Sequence, residues 1–178
     1  MLRSRYSLFA KVLGGAGVVF LSFFITLYFL RQWSASDDAV TRLQRLTIHG
    51  PAELEKMAPA AGLKKSDQIT GTIEGVAREA DGRLKVVGWI ASGEGGPVWL
   101  VVFVDGSAVL TIRARGGRDD VQRFLQGRNF PTESWKDVRI EELSEQSIPC
   151  SRMNKIFMVG IDQNGKFNAL GGAPPKGC

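Results

Sequence analysis

The chain has 178 residues, 44% hydrophobic and 23% charged. That suits one ordinary domain with an appendage and excludes a wholly disordered chain or a polytopic membrane protein. Two cysteines and one histidine exclude a disulfide-rich scaffold, leave too few ligands for a Cys-built zinc site, and argue against Ser-His-Asp or Cys-His catalysis. The net charge is +5, but Arg3, Arg5, Lys11 and Arg31 flank a single apolar run. The remaining 19 basic residues stand against 18 acids, so no nucleic-acid partner is expected.

Val12 to Leu30 is nineteen residues without a charge. As a helix it spans about 28 Å, close to the apolar thickness of a bilayer. Tyr28 and Trp33 sit near one end, where amphipathic rings favour the interface. The alternative is a cleaved signal peptide, but its apolar core is shorter, and only Ser34-Ala35-Ser36 resembles a cleavage site. The segment is therefore expected to be an uncleaved single-pass transmembrane helix over 12–30, with the lipid bilayer as partner. Basic residues number three before it and three soon after it. The free amino group tips the balance, putting residues 1–11 in the cytoplasm and the body outside. Ala10, Gly14, Ser22 and Thr26 form a small-residue stripe suited to a second membrane helix.

Residues 31–67 read as a stalk with short helices. Ser36 or Asp37 caps a helix carrying Val40, Leu43 and Leu46, and Gly50-Pro51 opens another that ends before Pro59. His49 lies here, with no catalytic partner recognisable nearby.

From Ile69 the hydrophobic period becomes two. Strands are expected over 69–76, 84–91, 98–104, 108–114, 138–143, 155–162 and 167–170, divided by turn signals such as Asp81-Gly82, Asp105-Gly106 and Asn164-Gly165. Val98–Val104 is almost wholly apolar, as a strand buried on both faces is. One helix is expected over 118–126, with Asp119 and Asp120 at its start. About seven short strands make an Ig-like antiparallel β-sandwich over residues 68–171, followed by an irregular tail over 172–178.

Gly71-x-Ile73-Glu74, Val87-Gly88-Trp89, the strand Val98–Val104 running into Asp105-Gly106, and Arg118-Asp119-Asp120-Val121 occur in that order. Over residues 69–126 this pattern resembles the small β-sandwich modules attached to bacterial glycosyltransferases and other cell-surface polysaccharide proteins. The resemblance implies a bacterial envelope location and association with surface polysaccharide. It implies no catalytic residue.

Arg113, Arg115 and Arg118 surround Gly116-Gly117 and are candidates to grip a carboxylate or phosphate. The competing reading pairs Arg118 with Asp119 or Asp120 inside the domain. Phe130 and Trp135 flank Pro131 in a loop and are candidates for an aromatic platform facing a glycan. Trp89 and Trp99 are expected in the core, Trp89 between the two sheets, with Gly88 permitting close backbone approach. Glu141 and Glu142 point to opposite faces of a strand and make no glycosidase pair. Cys150 and Cys178 are 28 positions apart. A bridge between them would pin the tail and stabilise by roughly 3 kcal/mol, against the alternative of two free thiols.

No cofactor, metal or catalytic residue is expected. The sequence reads as a membrane-anchored, non-enzymatic envelope accessory or binding module. It sits in the bacterial inner membrane with its body in the periplasm, and its partners are a glycan or a membrane protein. The alternative is a structural accessory subunit of a membrane complex, docked through its transmembrane helix and sandwich.

Overall fold

The structure, a computed structural model, describes residues 39–172 and 174–178. The span expected over 12–30, the segment 1–11 and the stripe Ala10, Gly14, Ser22 and Thr26 lie outside the described residues. Among the described residues no helix is long and apolar enough to cross a membrane.

In chain order the elements are α1 (helical residues 39–44), α2 (Pro51–Met57), β1 (Lys64–Lys65), β2 (Ile69–Arg78), β3 (Arg83–Ser92), β4 (Val98–Val104) and β5 (Ser107–Arg113). There follow α3 (Asp119–Gln126), a 3-10 turn (Thr132–Trp135), β6 (Arg139–Ser147), a second 3-10 turn (Cys150–Lys155), β7 (Ile156–Asp162) and β8 (Lys166–Leu170). The strands form a five-stranded sheet in the order β1-β8-β7-β4-β5 and a three-stranded sheet in the order β2-β3-β6. The protein is mainly β, and the two sheets face each other across a shared core.

Alternation along β4 accounts for the layers. Val98, Leu100, Val102 and Val104 enter the core between the sheets, beside Ile73, Val86, Ile90 and Ile140. Trp99, Val101 and Phe103 point the other way and meet Leu43, Ile48, Leu54 and Leu63. Both faces of β4 are covered, which is why the segment carries no polar residue. Residues 39–67, read from the sequence as a stalk, are therefore a helical cover on the outer face of the large sheet. They also add β1, which pairs in parallel with β8.

The small sheet has its own outer cover. Leu84, Val86 and Ile90 face the shared core, whereas Trp89 and Ala91 face outward under Val121 and Leu125 of α3. Trp89 is buried as expected, but outside the sheet pair rather than between the sheets. Its ring meets Phe124 edge-on at 5.5 Å. Period-two reasoning gives the alternation of a strand but not which of its faces meets the other sheet. Gly88 lies against the backbone of Thr72 and Ile73, where a side chain would not fit.

Asp105 and Gly106 both take positive φ, 52° and 85°. They form the two-residue turn that an Asp-Gly pair favours between antiparallel strands. The tail, expected to be irregular, runs in parallel along β2 through bridges Ile73–Gly172 and Ala77–Lys176. The Lys176 amide donates to the Val76 carbonyl at 2.9 Å. Cys178 is bonded to Cys150, with Cα atoms 5.6 Å apart, so the chain end is held against the edge it covers.

Candidate functional site

The strand order leaves β5 and β6 as edges of the two sheets, and these edges converge. The Arg115 amide donates to the Arg139 carbonyl at 3.0 Å, and the Val138 and Arg139 amides donate to the Gly116 carbonyl at 3.1 and 3.2 Å. Gly116 has φ 73°, a conformation that glycine adopts without strain. Beyond this junction no ladder joins β5 to β6 among the described residues. Hydrogen-bond alternation turns the main chain of Thr111 and Arg113 away from β4 and toward this opening.

A groove of about 630 Å³ lies over the seam. Trp99, Thr111, Arg113 and Arg115 line one bank, and Arg139, Glu141 and Glu142 line the other. The Arg113 guanidinium stands 5.9 Å from the Trp99 ring centroid, which favours a fixed position for its charge. Arg139 is ion-paired with Glu141. Arg115 is exposed, and its amide bonds the Arg139 carbonyl at the junction. The lining thus carries three guanidiniums and two carboxylates, with Arg139 and Glu141 already paired to each other.

The sequence candidates divide here. Arg113 and Arg115 reach this groove together. Arg118 does not. Its guanidinium donates to both carboxylate oxygens of Asp120, at 3.1 and 2.6 Å, and to Glu74 at 2.8 Å. These partners hold Arg118 more firmly protonated than usual, Asp120 first and Glu74 second. The same contact holds the Asp120 carboxyl below its ordinary range. Arg118 fixes α3 against β2, as the competing reading held. Phe130 and Trp135 are half-buried against Trp89, Val121, Leu125 and Val138. They extend the apolar cover of the small sheet rather than forming an exposed platform, although the Trp135 Nε1 is buried without a hydrogen-bond partner.

Arg139 was missed from sequence. It sits in a half-exposed strand rich in charge, and only the seam brings it to Arg115. A second groove, of about 510 Å³, continues along β6. There Arg83 pairs with Asp81 at 2.6 Å, and Lys85 lies 4.0 Å from Glu141, so its charges are largely matched internally.

One buried carboxyl has a structural task. Asp162 is fully buried and accepts from the amides of Asn164 and Lys166, at 2.8 and 2.9 Å, and from the Ser92 hydroxyl at 3.2 Å. Burial pushes its pKa up despite these donors. It closes the β7–β8 turn and ties it to β3. Among the described residues no group of three or more His, Cys, Asp or Glu is placed to hold a metal.

Compared with protein families, curated proteins and solved structures, the chain has no match.

Proposed function

We propose that the chain is a membrane-anchored, non-enzymatic envelope module, with an Ig-like sandwich exposed on the periplasmic side of a bacterial inner membrane. The Cys150–Cys178 bond carries the reading. Both cysteines are exposed, and an exposed disulfide persists in an oxidising compartment rather than in a reducing cytosol. The nineteen uncharged residues from Val12 to Leu30 supply the anchor. The resemblance of residues 69–126 to sandwich modules of polysaccharide proteins supports a binding or accessory role beside surface polysaccharide.

Topology tests this reading directly. Full-length chain in intact cells should fractionate with the inner membrane. Its C-terminal body should be cleaved by protease only after the outer membrane is opened, and it should migrate as a disulfide-bonded species under non-reducing conditions. A protease-resistant, reduced body in sealed spheroplasts would overturn it.

A further inference from the structure

Residues 174–178 lie along β2, and little besides one covalent bond holds them there. All five are exposed. Among the described residues, their main chain makes two hydrogen bonds to β2. The Lys176 amide donates to the Val76 carbonyl, and the Arg78 amide donates to the Lys176 carbonyl, both at 2.9 Å. Pro174 and Pro175 have no amide hydrogen with which to add another. Two such bonds do not offset the backbone freedom that the segment loses on being fixed. The bond between Cys178 and Cys150 is what keeps it seated.

The segment covers two features at once. β2 is an edge strand of the small sheet, and the segment occupies its free side. Pro174 and Pro175 also line an apolar cleft of about 180 Å³, together with Val76, Ile156, Met158 and Leu170. Without the segment, the Arg78 amide and the Val76 carbonyl are left unpaired at a strand edge beside that cleft. Such an edge is a template for pairing with another chain.

The bond is also open to chemistry. Cys150 and Cys178 are both exposed, so a thiolate in solution reaches the sulfurs without unfolding the sandwich. Exposed disulfides belong to the labile class, whereas buried ones resist exchange.

We propose that Cys150–Cys178 is a redox latch. A dithiol reductant opens it, releasing residues 174–178 and uncovering the β2 edge. One thiolate of the dithiol attacks an exposed sulfur, and the other cysteine leaves as a thiolate and takes up a proton. The second thiol of the reductant then resolves the mixed disulfide. Two electrons pass to the cystine, and the reductant ends as its own disulfide. In an oxidising compartment the latch stays closed until such a dithiol is supplied. The proposal goes beyond the envelope-module reading and concerns how this one bond is used.

The test uses full-length protein in detergent, graded dithiothreitol as the dithiol, thiol alkylation to count opened bonds, and hydrogen exchange. The bond should reduce in the folded protein. The Arg78 and Lys176 amides should then exchange within about tenfold of an unstructured peptide, while β4 and β7 stay strongly protected. Trypsin should cut after Lys176 faster in the reduced form. The double variant Cys150→Ser/Cys178→Ser should show the open pattern with or without dithiothreitol, which separates loss of the bond from any other effect of the reductant. Three results would overturn the latch. The bond may reduce only after denaturation. Arg78 and Lys176 may keep their protection in fully alkylated protein. Or β4 and β7 may lose protection along with the segment, making the bond a staple for the whole fold; a double variant that does not fold counts with this last result. None of these touches the module reading, which the topology experiment decides.

Discussion

Asp162 is a charged residue whose cost and purpose can be separated. Its carboxyl is buried, so the folded chain holds its proton at a pH where the unfolded chain has released it. The folded state then binds more protons, and this residue's contribution to stability falls as pH rises from about 4, the unfolded value, through the raised folded value. Asp162→Asn keeps one oxygen for the Asn164 and Lys166 amides and removes the charge. Relative to wild type, the variant should therefore gain stability between about pH 4 and pH 7. Urea melts of both proteins at the two ends of that range measure the difference, and a difference that stays flat or declines would show that burial does not oppose this charge. Asp120 shifts in the other direction, because Arg118 holds its charged form. Its contribution is present above the ordinary carboxylate pKa and is lost as pH falls through the lowered one.

Arg118 joins two elements. It bonds Asp120 in the first turn of α3 and Glu74 on β2. Replacing it with Met keeps most of its length and removes both contacts. The expected cost is about 1–2 kcal/mol, discounted for the exposure of its partners. Hydrogen exchange should show faster opening of α3 while β4 and β7 keep their protection; equal loss of protection everywhere would contradict the assignment of Arg118 to this one corner. The α1–α2 cover supplies a second element-scale test. Leu54 is fully buried against the outer face of the large sheet. Leu54→Ala should cost about 2–4 kcal/mol, whereas an independent stalk would lose almost nothing. Denaturant melts with paired wild-type controls decide between them.

The element scale also marks how much was legible. Period-two segments and Asp-Gly and Asn-Gly signals placed β2 to β8 within a residue or two, apart from β6, which runs on to Ser147. Strand periodicity and turn chemistry are local properties. The helices of residues 39–67 were also readable, but their docking was not. Val40, Leu43 and Leu54 look the same on a stalk helix as on a cover. Only the outward residues of β4, namely Trp99, Val101 and Phe103, reveal what those apolar side chains meet.

At the scale of the whole molecule, the chain closes on itself twice. On one side the tail lies along β2 and is fastened by Cys150–Cys178. On the other, the edges of β5 and β6 run close together without a ladder between them among the described residues, are hydrogen-bonded at the Arg115–Arg139 junction, and carry a groove over the seam. Opening the disulfide frees a loop of about 29 residues in the unfolded chain, so Cys178→Ser should lower stability by about 3–4 kcal/mol in the chain-entropy account. It should also speed exchange of the Ile73 and Arg78 amides, which donate to the tail carbonyls of Gly171 and Lys176. Unchanged exchange at those amides would show that the tail binds β2 without the bond.

The sequence by itself determined the alternating strands, their tight turns, the short helix beginning at Asp119 and the uncharged run from Val12 to Leu30. Each depends on residues near one another in the chain, where spacing, φ preference and local polarity act directly. Tertiary structure alone decided which face of each strand met the other sheet, where residues 39–67 were buried, and which arginines shared a site. Arg118 and Arg115 are three positions apart, yet one is paired with Asp120 and Glu74 and the other lines the groove beside the main chain of Arg139. Charge pairing depends on distances of a few ångströms through space, and those distances arise only when two sheet edges, far apart in the chain, come together.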